Sequence, residues 1–211
     1  MGKLKNGILN GFSGKIGPVE GYQTGEDYYI RAKRRPRTKF TPKELLSQAK
    51  FKMVRTYLSP FIDVLKVGFA GHYTKTGGFR GAISYTMKEV IQENAEGFFI
   101  DPQLVKISGG ILAPAENPQV EIGAGKEVSI SWDQSNSGWQ HRGDQLMLLV
   151  YDAVSGVIDK RIFDGAYRQA GEFKMTPKVK LHNKEVDIYI GFLAADRSGQ
   201  SDSQYLGRFM L

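Results

Sequence analysis

From residue 97 onward apolar and polar residues alternate with a period of two, the pattern of strands with one buried face. Val128, Ile130 and Trp132 fall on one side of such a strand, and Ser129, Ser131 and Asp133 on the other. The segments FFID, LVKISGG, QVEIG, EVSISWD, QLMLLVYD, GVIDKRIFD, EFKMTP, EVDIYIGFLAAD and SQYLGRFML are separated by Gly, Pro, Asn and Asp, which favour turns. About seven strands between residues 118 and 211 predict a Greek-key β-sandwich with Trp132 in its core.

Before residue 97 the period is helical. In TPKELLSQAKFKMVRTYL, Thr41 is a good N-cap, Pro42 takes the first helical position and Glu44 completes a capping box. Leu45, Leu46, Ala49, Met53, Val54, Tyr57 and Leu58 then keep helical spacing up to Pro60. FIDVLKVGF is a short amphipathic piece. After the loop AGHYTKTGG, a second helix is expected at about residues 79–94, with Phe79, Ile83, Met87, Val90 and Ile91 on one face.

The N-terminus differs again. Residues 7–22 contain five glycines, which argues for turns and close backbone approach rather than a helix. KIGPVEGYQ, the turn cluster TGED and YYIRAKRR read as a β-hairpin, with Pro18 at an edge or bulge. Tyr28, Ile30 and Ala32 share one face; Tyr29, Arg31 and Lys33 share the other. The expected organisation is a glycine-rich arm with a basic linker at 1–40, a helical segment at 41–96 and a sandwich at 97–211. In fold-class terms this is an α+β N-terminal region followed by an all-β domain resembling fibronectin and immunoglobulin-like sandwiches. With no cysteine in the chain, the antibody-type disulfide is absent.

Charge sharpens interest in the arm. Residues 1–93 hold 17 Lys+Arg against 7 Asp+Glu, and residues 94–211 hold 12 against 15. Such asymmetry suits an anionic partner or attraction between copies. The candidate interaction residues are Tyr28, Tyr29, Arg31, Lys33, Arg34, Arg35, Arg37 and Lys39. The cations could neutralise phosphates while Tyr28, Tyr29 and Phe40 stack on bases. They could equally meet acidic surface on another copy, or keep an exposed strand edge from pairing.

Chemistry has little purchase elsewhere. The absence of cysteine removes disulfides, thiolate metal sites and thiol nucleophiles. His72, His141 and His182 are far apart and lack ligand spacing. GAGKE at 123–127 and GFSGKIG at 11–17 lack the first glycine and the hydroxyl of a phosphate loop, and read as turns between strands. No G-x-S-x-G elbow occurs. No cofactor or enzymatic activity is expected. No stretch approaches the roughly 20 apolar residues of a membrane span, and Ile8 and Leu9 are too short a run for a secretory signal. The expected location is the cytoplasm, with particle release as a route outward.

GKLKNGILNGFSGKIGPVEGY, the hairpin ending IRAKRRPR, the helix TPKELLSQAKFKMVRTYLSPF and the ending YIGFLAADRSGQSDSQYLGRF together resemble an uncharacterised family of Bacteroidota proteins. The N-terminal part is also similar to phage-like and surface-associated proteins, in which a glycine-rich hairpin, a basic linker and a T-P-x-[EQ]-L helix recur. Here Thr41, Pro42, Glu44, Leu45, Lys50 and Phe51 match, whereas Val19 is followed by Glu20 instead of a second valine. The resemblance implies no catalytic residues and a modular, non-enzymatic protein. The expected function is self-association through the arm, in a homo-oligomeric particle or filament; nucleic-acid binding by residues 31–39 is the alternative.

Overall fold

The structure, a computed structural model, describes residues 2–4, 12–34, 36–71, 77–95, 97–134, 138 and 141–211. Two compact units divide the chain, Met1–Leu46 and Ser47–Leu211. The first holds four strands, β1 (Gly2–Leu4), β2 (Gly14–Ile16), β3 (Val19–Thr24) and β4 (Asp27–Ala32), and the start of helix α1 (Pro42–Leu58). The second holds the rest of α1, then α2 (Ile62–Gly68), α3 (Gly78–Tyr85) and the hairpin β5 (Ile91–Asn94) and β6 (Gly97–Ile100). Seven further strands follow: β7 (Glu116–Ile122), β8 (Val128–Asp133), β9 (Gln145–Asp152), β10 (Val157–Arg161), β11 (Glu172–Met175), β12 (Glu185–Leu193) and β13 (Gln204–Met210).

These seven strands form the expected sandwich. One sheet has the order β10-β9-β12-β13, the other β11-β8-β7, and every pairing is antiparallel. Val128, Ile130 and Trp132 point inward, as their alternation requires, against Leu146, Leu148 and Val150 of β9 and Val186, Ile188, Ile190 and Phe192 of β12. The four-stranded sheet has a second apolar face. Met147, Leu149, Tyr151, Tyr189 and Leu193 pack on Val54, Leu58, Phe61, Val64, Leu65 and Phe69 of the helical segment. The larger unit is therefore three layers deep, helices on sheet on sheet. That is why β9 is buried at every position and why QLMLLVYD lacks a polar face.

Two segments depart from the sequence-based expectation. The helix expected over 79–94 ends early: α3 passes into one π-helical turn, Thr86–Val90, and Ile91–Asn94 is a strand. Ile91 pairs with Ile100 and Asn94 with Gly97, whose φ of 132° suits glycine in the tight connection. LVKISGG is not a strand. Leu104 and Val105 donate to the Asp101 and Pro102 carbonyls, and two further amides reach side chains near the other end of the chain: Ile107 N–H to Ser203 Oγ at 2.8 Å and Gly110 N–H to Asp202 Oδ1 at 3.1 Å.

The β9–β10 turn is tightly tied. Asp152 accepts from the Val154 and Ser155 amides at 2.9 and 3.1 Å, from the Ser155 hydroxyl, and from Lys184 Nζ at 2.9 Å. Burial acts to raise the Asp152 carboxyl, but these hydrogen bonds overcome it and hold it down at about 2. A carboxylate depressed in the folded state stabilises the protein above its ordinary value of 3.8, and that stabilisation is lost as pH falls through about 2. Asp152→Asn is therefore expected to cost about 1–2 kcal/mol in urea unfolding at pH 7 and almost nothing below about pH 2.

Candidate interaction surface

The N-terminal sheet has the order β1-β4-β3-β2, all antiparallel, so the expected hairpin is the centre of a four-stranded sheet. Its register comes from two two-residue turns. Thr24 pairs with Asp27 across Gly25-Glu26, and Ile16 with Val19 across Gly17-Pro18. Gly25 and Gly17 have φ of 64° and 56°, at the turn position that favours glycine. Pro18 thus lies in a turn, where no ladder donor is required of it.

That register sets the chemistry of one face. Glu20 stands opposite Arg31 and Tyr22 opposite Tyr29. Arg31 donates to Glu20 Oε2 from Nε at 3.0 Å and from Nη2 at 2.8 Å, and its guanidinium lies 5.0 Å from the Tyr22 ring centre. Tyr22 and Tyr29 stack with centroids 5.5 Å apart. The Arg31 hydrogen bond holds the Glu20 carboxyl below its ordinary range, with Lys15 and Arg34 adding to the effect. On the other face Phe12 lies over Gly21, where a Cβ would sit 2.5 Å from the Phe12 carbonyl oxygen. Gly21 is the one buried residue among those described in this unit. Among the described residues no apolar side chain before Val54 is buried.

The linker leads into the expected capping box. Thr41 N–H donates to Glu44 Oε2 at 2.9 Å, and Glu44 N–H to Thr41 Oγ1 at 3.3 Å. Arg37 clamps the same carboxylate with two bonds, at 2.9 and 3.1 Å, and the Glu44 carboxyl is lowered by Arg37 first and Thr41 second. Of the candidate residues, Arg31 and Arg37 are thus engaged within the chain, and Tyr29 is stacked on Tyr22. Tyr28 alternates to the opposite face, so the structure does not bring the two tyrosines together. Lys33, Arg34 and Lys39 are exposed and form no ion pair among the described residues. Arg35 lies outside the described residues. Tyr22 and Phe12 join the surface without having been singled out from the sequence, and Glu20, noted there only as a departure from the family pattern, joins it as the partner of Arg31.

Charge follows the division into units. Residues 1–46 hold 10 Lys+Arg against 4 Asp+Glu, whereas residues 47–211 hold 19 against 18. The basic excess belongs almost wholly to the N-terminal unit.

Two of the histidines and one glycine-rich segment make local contacts. GAGKE forms the β7–β8 turn, with Gly123 N–H bonded to the Glu127 carbonyl at 2.8 Å. His141 Nδ1 lies 3.3 Å from Asp144, and His182 Nε2 lies 3.1 Å from the Pro177 carbonyl. His72 is outside the described residues. Among the described residues no group of three or more His, Cys, Asp or Glu side chains is placed to hold a metal ion. No described helix is long and apolar enough to cross a membrane.

The model of a family of unknown function, DUF6266, matches residues 11–207. The chain belongs to that family. The match runs from just before β2 into β13, so β2, β3 and β4 of the N-terminal sheet and the sandwich are parts of one family pattern. No curated protein and no solved structure matches the chain.

Proposed function

We propose that this DUF6266 protein is a non-enzymatic structural or interaction protein that self-associates through its N-terminal β-arm, as a component of a particle or filament. One observation carries this reading: four paired strands that bury no apolar side chain among the described residues. A small sheet needs a covered apolar face to hold its order in water, and a second molecule supplies one. Among the described residues the outer strands β1 and β2 each pair along one edge, which suits them to strand addition. The division into sheets β11-β8-β7 and β10-β9-β12-β13 supports a fibronectin type III-like reading of the sandwich, a frequent interaction module. The resemblance of the N-terminal residues to phage-like and surface-associated proteins is in keeping with this reading.

Nucleic-acid binding by residues 31–39 is the alternative, favoured by the exposed Lys33, Arg34 and Lys39. Arg31 and Arg37, already held by Glu20 and Glu44, weaken it, because fewer cations remain for phosphates. Size-exclusion chromatography with light scattering, run with and without DNA or RNA, separates the two. A homogeneous assembly without nucleic acid is expected, reduced when Arg34, Arg35 and Arg37 are changed to Gln. A monomer that shifts only with nucleic acid and releases it at high salt would establish the alternative.

A further inference from the structure

We propose that the basic linker at residues 33–40 of one copy docks on the outward, acidic face of the sheet β11-β8-β7 of a second copy. This rests on the self-association proposed above and names the surface that it uses. The register of three strands builds that face. Val128, Ile130 and Trp132 of β8, Val120 of β7 and Phe173 of β11 turn into the sandwich core, so the residues between them turn outward. Across the sheet Ser129 stands between Lys174 and Glu121, and Ser131 between Glu172 and Gln119; Asp133 and Glu116 follow at one end. The middle strand thus carries short side chains between longer ones, a trough about 10 Å across, twice the spacing of neighbouring strands. At its Asp133 end lies an open depression of about 640 Å³, lined by Ser131, Asp133, Gln134, Gly171 and Glu172 among others and by no Lys or Arg.

Charge selects what fits there. The three strands carry Glu116, Glu121, Asp133 and Glu172 against one cation, Lys174, which lies 3.4 Å from Glu172. The β7–β8 turn adds one charge of each sign, Glu127 and Lys126, and Lys126 bonds to Asn183 Oδ1. Glu121 and Asp133 form no ion pair among the described residues; Asp133 accepts only from the Asn117 amide group, at 2.6 Å. Four carboxylates elsewhere in the larger unit are matched within the chain instead: Asp63 by Lys160, Asp152 by Lys184, Asp187 by Arg208 and Asp202 by Lys106. The β5–β6 hairpin is no rival, because Glu93 stands across from Phe98, whose ring already carries Lys50 at 5.5 Å.

The chain supplies the complement itself. Residues 31–39 contain six Lys or Arg and no acid, and Lys33, Arg34 and Lys39 are exposed. Residues 33, 34 and 36–40 have no regular secondary structure, so the run can lie along the trough and reach carboxylates on either rim. Nucleic acid is the wrong occupant, since its phosphates would meet the carboxylates of the face. Because the linker and the face are different surfaces, the contact is head to tail and repeats from copy to copy, as a filament or a closed ring requires.

Sedimentation velocity of the full chain over a concentration series tests this docking. Glu121→Lys with Glu172→Lys and, separately, Arg34→Glu with Lys39→Glu are each expected to weaken association about tenfold, because like charges then meet. One chain carrying all four changes should recover most of the loss, the signature of groups that face each other directly. Glu121→Gln with Glu172→Gln keeps the shape of the face, and its association should be weaker and less sensitive to salt than that of the wild type. All four positions are exposed, so the melting temperatures should stay near that of the wild type. If both face variants associate like the wild type while removal of residues 1–40 abolishes assembly, the face is not the receiver and self-association through the arm still stands. A wild type that stays monomeric at every concentration overturns both.

Discussion

Trp132→Ala is expected to lower the unfolding free energy by about 3–5 kcal/mol, the range for removing a buried tryptophan or phenylalanine ring. Trp132 is 5% exposed and stands edge-on to Phe192, with ring centres 5.5 Å apart. Its indole Nε1 donates to the Arg168 carbonyl at 2.8 Å. The Arg168 guanidinium in turn lies 3.8 Å from the Phe192 ring centre and donates to the Ala113 and Pro114 carbonyls. Deleting the ring would open a cavity, leave the Arg168 carbonyl without its donor and loosen a buried cation held between the two sheets. Trp132→Phe separates the contributions: it keeps most of the packing and loses the donor, so about 1–2 kcal/mol is expected. Urea unfolding followed by circular dichroism checks both values. A loss below about 1 kcal/mol for the alanine variant would mean that the ring is not packed between the sheets.

Removing residues 1–40 is expected to abolish assembly while leaving the larger unit folded. The cut spares Thr41 and Glu44, so α1 keeps its capping box. It also spares every buried apolar residue among those described, which run from Val54 to Leu211. At the helix start the cut removes the Arg37 clamp on Glu44, an exposed pair of small consequence for stability. Light scattering should report a monomer, and the thermal midpoint should stay within a few degrees of the full chain. An unchanged oligomer would place the assembly contacts outside the arm.

The parts of this fold legible in the sequence are those with local causes. The capping box needs only Thr41 and Glu44 three positions apart, and the inward phase of Trp132 needs only alternation along one strand. Where the cause is distant, the pattern misleads. LVKISGG begins with the alternation of a strand, but its Ile107 and Gly110 amides donate to Ser203 and Asp202, which no local signal announces. Ile91 continues the helical face of Ile83 and Met87, yet the π-helical turn shifts the phase and Ile100 captures it as a strand partner. The candidate surface shows the same limit. Six cations are obvious by counting, whereas the withdrawal of Arg31 by Glu20 depends on register, and register depends on a turn with Gly25 at a positive φ.

The burial of β9 on both faces also bears on how the chain must be made. QLMLLVY is a β-prone run without charge, the kind of segment that pairs between molecules when left uncovered. During synthesis α1, α2 and α3, which cover one of its faces, leave the ribosome before it, and so do β7 and β8 of the opposing sheet. The cover is waiting when the hazardous strand emerges. Its two neighbours within the sheet arrive later, β10 directly after the turn and β12 last, so the interval before β12 emerges is when the nascent chain is most exposed to aggregation.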